Sequence, residues 1–133
     1  MRYLVTGSQM RVIDQDTIQN IGIPSLVLME RAAECVARKA EQLCDQKTLQ
    51  ILAICGVGNN GADGVAAARM LYLHGFDVLV VVVGNEAYAT KEFEVQKGIA
   101  EKLEIPVVDW EHFLHGEDEQ KAGDRAIIDA VFG

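Results

Sequence analysis

The chain has 133 residues, 50% of them hydrophobic and 24% charged, with a formal net charge of -8. That length makes one domain with a core able to stand unaided and leaves no room for a second full one. The acidic balance argues against a groove for nucleic acid or an anionic membrane surface, because phosphate is held mainly by Lys and Arg.

Residues 1–7 lack the long apolar core and small-residue cleavage site of a signal peptide, and the longest apolar run, 78–83, is too short to span a bilayer. Ser8 is placed to cap a helix carrying Met10, Ile13, Thr17 and Ile21 on one face, with Gly22 and Pro24 as its stop. Ser25 opens a longer amphipathic helix in which Leu26, Met29, Ala33, Val36, Ala40 and Leu43 recur at spacings of three and four. Cys35, Cys44 and Cys55 form no C-x-x-C pair and have no His at metal-ligand spacing. They read as buried thiols in a reducing compartment, and a soluble cytoplasmic protein is expected.

From Thr48 the pattern alternates strand and helix. Aliphatic runs at 49–54 and 76–83 suit strands covered on both faces, and the helix between them, 62–74, turns Val65, Ala68, Leu71 and Tyr72 inward and stops at Gly75. Thr90 caps a further helix with Phe93, Gln96, Ala100 and Leu103 along one side. A short strand at 105–108 begins near Pro106, which hints at a sheet edge. Asp109 is placed to cap a short turn bearing Trp110 and Phe113, and 125–129 forms the last strand. The class is α/β: a Rossmann-like three-layer α/β/α domain with a mainly parallel sheet, preceded by two N-terminal helices. Right-handed crossovers put the strands in the order 3-2-1-4, with the ligand crevice where the winding reverses, between strands one and four.

That crevice is flanked by the stretch the chain turns on, Gly56-Val57-Gly58-Asn59-Asn60-Gly61-Ala62-Asp63-Gly64, read as a loop between the first strand and its helix. Its glycines are expected to permit positive φ and close approach of a ligand to main-chain N–H groups, and the helix start adds a site suited to phosphate. The paired asparagines favour ligand contact over a turn that merely lets strand and helix pack. The glycines match G-x-G-x-x-G incompletely, with only a late Glu86 as the acidic partner of a dinucleotide fingerprint, and no Gly-Lys-Ser/Thr is present. Topology brings Asp129, at the end of the fourth strand, near Asn60. The carboxylate can share a hard cation with the amide oxygen, carry a proton, or cap the following loop, and spacing alone does not choose.

The segments Gly58-Asn59-Asn60-Gly61-Ala62-Asp63-Gly64, Asp129-Ala130-Val131-Phe132-Gly133 and Gly22-Ile23-Pro24-Ser25-Leu26-Val27-Leu28-Met29-Glu30 resemble, in that family's order, the YjeF N-terminal domain family. Its characterised members are NAD(P)H-hydrate epimerases, often dimeric. The resemblance implies an isomerase acting in metabolite repair, which interconverts the R and S forms of hydrated NADH or NADPH. It implies substrate contact at Asn59, Asn60, Gly61, Ala62 and Asp63, with Ala62 standing where the family usually has glycine. It also implies potassium ligation by Asn60 and Asp129, and leaves Asp129 a candidate catalytic proton carrier. The family continues past the position of Gly133 with further strands and a D-x-P-S-G motif. The chain is therefore expected to be a partial domain, with 1–47 helical and 48–133 the α/β core. The other readings are a non-catalytic nucleotide- or protein-binding module of the same fold, and an ordinary NAD-dependent oxidoreductase resting on Glu86.

Overall fold

Four strands built from aliphatic runs, β1 (Gln50–Cys55), β2 (Asp77–Val82), β3 (Val107–Asp109) and β4 (Arg125–Ala130), form one parallel sheet in the order β3-β2-β1-β4. The computed structural model describes residues 15, 17–44, 49–116 and 125–131. The long helices are α1 (Ser25–Leu43), α2 (Asn59–Leu73) and α3 (Lys91–Lys102), and α4 (Trp110–His115) is short. β1 is central, aligning Ile51 with Val78 on one side and with Ala126 on the other. The expected order and parallel sense are what the sheet has, and β3 lies at its edge, as Pro106 suggested.

The crossovers from β1 to β2 and from β2 to β3 both run over one face, where α1, α2 and α3 pack with Ile51, Ala53, Val78 and Val80 in the main core. Each aliphatic side chain taken wholly out of water there contributes ~1.5–3 kcal/mol. α4, which follows β3, lies on the opposite face. There a smaller cluster of Leu52, Leu79, Val81 and Phe113 lies under α4. Local signals stop and start the helices as read. Gly75 has φ +94°, the Thr90 hydroxyl accepts the Phe93 N–H at 3.2 Å, and Asp109 Oδ1 accepts the His112 N–H at 2.7 Å.

Several expectations change. α1 buries Met29, Ala33 and Ala37, spaced by four, while Leu26, Val36 and Leu43 stay exposed. The reason is its neighbour: α2 offers an alanine-rich surface, Ala62 and Ala66 to Ala68, on which a line of small residues sits closest. Only Cys55 of the three thiols is buried; Cys44 is half-buried and Cys35 exposed. Of the first expected helix, the described part is Gln15 and a π-helical turn at Thr17–Ile21, so the Ser8 cap, Met10 and Ile13 lie outside the described residues. No described helix is long and apolar enough to cross a membrane.

Candidate functional site

The end of β1 is gripped on both sides. Gly56 donates its N–H to the Ala130 carbonyl at 2.9 Å, and Val83 donates to the Cys55 carbonyl at 2.8 Å. The Val57 carbonyl then accepts the Thr90 N–H at 3.0 Å, which ties this turn to the segment after β2. α2 starts at Asn59, three residues earlier than the pattern suggested, so Asn59 to Gly64 is the first part of the helix and not a loop. Gly58 stands at the cap with φ -91° and, having no side chain, gives the first N–H groups of α2 no side-chain cap bond.

Gly56, Gly58, Gly61 and Gly64 are not among the glycines with positive φ, which corrects the expectation of left-handed backbone here. Their value is closeness. A Cβ on Gly61 would lie 1.7 Å from the Gly56 carbonyl oxygen, and one on Gly64 would lie 2.6 Å from the Ala130 Cβ and 2.9 Å from the Cys55 Sγ. On Gly56 it would come within 2.6 Å of the Val131 carbonyl oxygen. Gly61 and Gly64, three apart on one helix face, thus press the start of α2 onto the ends of β1 and β4. Cys55 lies within that contact, and burial pushes its thiol pKa up from 9.0 to about 12.

Asn59 is exposed at the helix start, Asn60 and Asp63 are half-buried, and Gly61 and Ala62 are buried. Ala62 is wholly enclosed in the main core, so its methyl packs inward. Across the sheet, Asp129 pairs in register with Ile54, and its Oδ1 accepts the Val131 N–H at 3.2 Å, a local turn that realises the capping option. Ala126, Ile128 and Ala130 pack against the main core. Ile127 and Asp129, alternating with them, therefore project from the opposite face. There a depression of about 310 Å³ is lined by Ile54, Val83, Trp110, Ile127, Asp129 and Val131. It is apolar except for one carboxylate. Trp110, placed by the sequence on the short turn that Asp109 caps, is part of this wall, and its position directly after Asp109 at the carboxyl end of β3 was the available signal. Glu86 bonds Lys97 Nζ at 2.5 Å, which occupies the carboxylate the dinucleotide fingerprint required.

The protein is thus a doubly wound parallel α/β domain whose crevice opens beyond the carboxyl ends of β1 and β4, where the winding reverses. Residues 25–133 match the family described as YjeF-related protein N-terminus, and the chain belongs to that family. It is 43% identical over 129 residues to a Limosilactobacillus fermentum protein named NAD(P)H-hydrate epimerase, covering 97% of this chain and 58% of that one. A protein of the same name from Oenococcus oeni is 36% identical over 129 residues, again 97% of this chain and 58% of the relative. The crystal structure of yeast YNL200c shares the fold, with a TM-score of 0.82 at 24% identity over 98% of this chain and 57% of the yeast chain. The chain therefore spans somewhat more than half the length of the proteins it matches.

Proposed function

We propose that this domain acts in the epimerisation of the R and S forms of hydrated NADH and NADPH, alone or as the N-terminal part of a longer enzyme. The observation that carries the reading is the 43% identity, across 97% of this chain, to a protein named NAD(P)H-hydrate epimerase. The geometry is consistent with it. A helix start without a side-chain cap suits a pyrophosphate, and an apolar depression with one carboxylate suits a ring with a single polar centre.

Epimerisation at a carbon bearing a hydroxyl beside the ring nitrogen leaves the oxidation state unchanged, so no hydride acceptor is needed. The carbon must pass through a flattened or ring-opened form while a proton moves. In this reading Asn59, Asn60 and Asp63 hold the substrate from the start of α2. Gly61 and Ala62, being buried, serve by setting the helix start against the strand ends. Asn60 and Asp129 would hold a potassium ion, since both offer the oxygen donors a hard cation takes, and Asp129 is exposed with Oδ1 in the local turn. A bound cation supplies a fixed positive charge that keeps a neighbouring carboxylate ionised. Asp129 as ion ligand and Asp129 as proton carrier are therefore competing roles. A homodimer and a cytoplasmic location belong to the same proposal.

The test is chromatographic conversion of R to S hydrated NADH by the chain, with and without potassium. Conversion above the spontaneous rate, falling ~100-fold or more in Asp129→Ala, is expected. An Asp129→Ala protein that kept both turnover and potassium dependence would remove both roles. Saturable binding of the hydrate without turnover would select the non-catalytic binding module.

A further inference from the structure

Trp110 is the only tryptophan of the chain, and the core does not absorb it. Phe113, one turn further along α4, fills the smaller cluster under that helix and is only 5% exposed. Trp110 lies on the same side of α4 and stays 38% exposed. The Phe113 ring supports it, with centroids 5.9 Å apart at an interplanar angle of 34°, and the Arg125 guanidinium lies 5.8 Å from the Phe113 centroid. The indole is thus held in place while a large part of it faces water.

What it borders is the depression at the carboxyl end of the sheet. Half-buried Ile54 and Val83 and exposed Ile127 come from β1, from just beyond β2 and from β4. These are three adjacent strands, so the floor is two strand spacings, ~10 Å, across. Trp110 is the aromatic member of the lining and Asp129 the charged one. The volume, about 310 Å³, lies at the lower end of the ~300–1,000 Å³ of small-molecule sites, which gives room for one ring with its substituents and not for a whole dinucleotide. The depression adjoins the start of α2. Val131 lines it, and the Val131 carbonyl oxygen is so close to Gly56 that a Cβ there would meet it at 2.6 Å. A ring in the depression and a pyrophosphate at the helix start therefore fit one extended ligand.

We infer that Trp110 is the wall on which the hydrated nicotinamide ring lies, so that this residue selects the nicotinamide half of the substrate. The inference rests on the epimerase reading. The faces of the hydrated ring are its least polar surface, while its hydroxyl and carboxamide project from the edge. An indole face offers a rigid apolar platform at little entropic cost, because its own side chain is already held. Stacking one ring face on Trp110 leaves the hydroxyl-bearing edge free to turn toward Asp129, the one carboxylate of the lining. The start of α2, by contrast, meets a pyrophosphate that any dinucleotide carries and cannot tell one base from another.

Calorimetry and tryptophan fluorescence with two ligands test this. Hydrated NADH carries the ring; ADP-ribose keeps the adenine, the pyrophosphate and both riboses but has no nicotinamide. In the wild-type chain, hydrate is expected to quench the emission of the single tryptophan and ADP-ribose to leave it nearly unchanged. Trp110→Ala is expected to weaken hydrate binding by about tenfold and to leave ADP-ribose binding within about twofold, with Trp110→Phe restoring most of the loss. An equal loss for both ligands would reduce Trp110 to a support of the fold and overturn the inference. Hydrate binding that neither quenches the indole nor depends on residue 110 would also overturn it, and both outcomes leave the epimerase reading standing. A wild-type chain that calorimetry shows not to bind hydrate overturns that reading, and the inference with it.

Discussion

A methyl group on Gly61 would meet the Gly56 carbonyl oxygen at 1.7 Å, whereas one on Gly58 would meet nothing within 4 Å. Backbone cannot retreat as a side chain can, so Gly61→Ala is expected to cost ~3 kcal/mol or more in urea unfolding, with the start of α2 displaced from β1. Gly58→Ala is expected to shift stability by less than ~1 kcal/mol, which makes it the cleaner probe of ligand contact at the helix start. The thiols divide by burial in the same way. Cys55, pushed up to about 12, stays protonated at pH 8 and should resist iodoacetamide in the folded chain, while exposed Cys35 is alkylated; peptide mass mapping reads both. Because the folded value lies above the unfolded 9.0, the native state holds the extra proton between those values. Stability is therefore lost as pH rises from 9.0 to about 12.

Elements are positioned by short polar signals and by which neighbour they meet. Thr90 Oγ1 takes one of the orphan N–H groups at the start of α3, so Thr90→Ala is expected to lower thermal stability by ~1 kcal/mol, with Thr90→Ser retaining most of it. Asp109 does the same for α4. The His112 backbone N–H, and then the His112 ring, hold its carboxyl below the usual 3.8. The sign follows: this cap stabilises the fold above pH 3.8 and is lost as pH falls through the lower folded value, which a carboxyl-carbon NMR titration would locate. These caps were legible because a Thr or Asp followed by helical periodicity has a local cause. The seam of α1 was not. Its spacings of three and four put Leu26, Val36 and Leu43 on the apolar seam with Met29 and Ala33. The alanine surface of α2 keeps only Met29 and Ala33 of these fully buried and adds Ala37, which lies outside the seam.

Across the whole molecule, the two faces of the sheet are unequal. One carries α1, α2 and α3; on the other, the described helix is the six-residue α4. Ile127 on β4 is consequently 62% exposed, beside the depression that Trp110 and Asp129 line. Ile127→Ser is expected to reduce binding of the dye ANS while changing unfolding free energy by less than ~0.5 kcal/mol, since little buried area is lost. If dye binding did not fall, the apolar surface it reports would lie elsewhere, with the open groove between α1 and α3 the next place to look.

Sequence by itself determined the strand and helix order, the parallel sheet, its 3-2-1-4 arrangement and the placement of the glycine-rich segment after β1 beside the end of β4. Aliphatic runs, caps and the handedness of crossovers are local or topological causes, and they act before any side chain finds its distant neighbour. Only the tertiary structure decided what the glycines are for, because a clash between a Cβ and another strand's backbone depends on coordinates that no spacing rule contains. It alone decided that Ala62 faces the core and that Asp129 closes a turn with Val131. It also decided that Gln96, on the expected inner face of its helix, is left without a partner for its amide oxygen. Each of these is a contact between residues far apart in the chain or a matter of which face a side chain takes, and packing sets them.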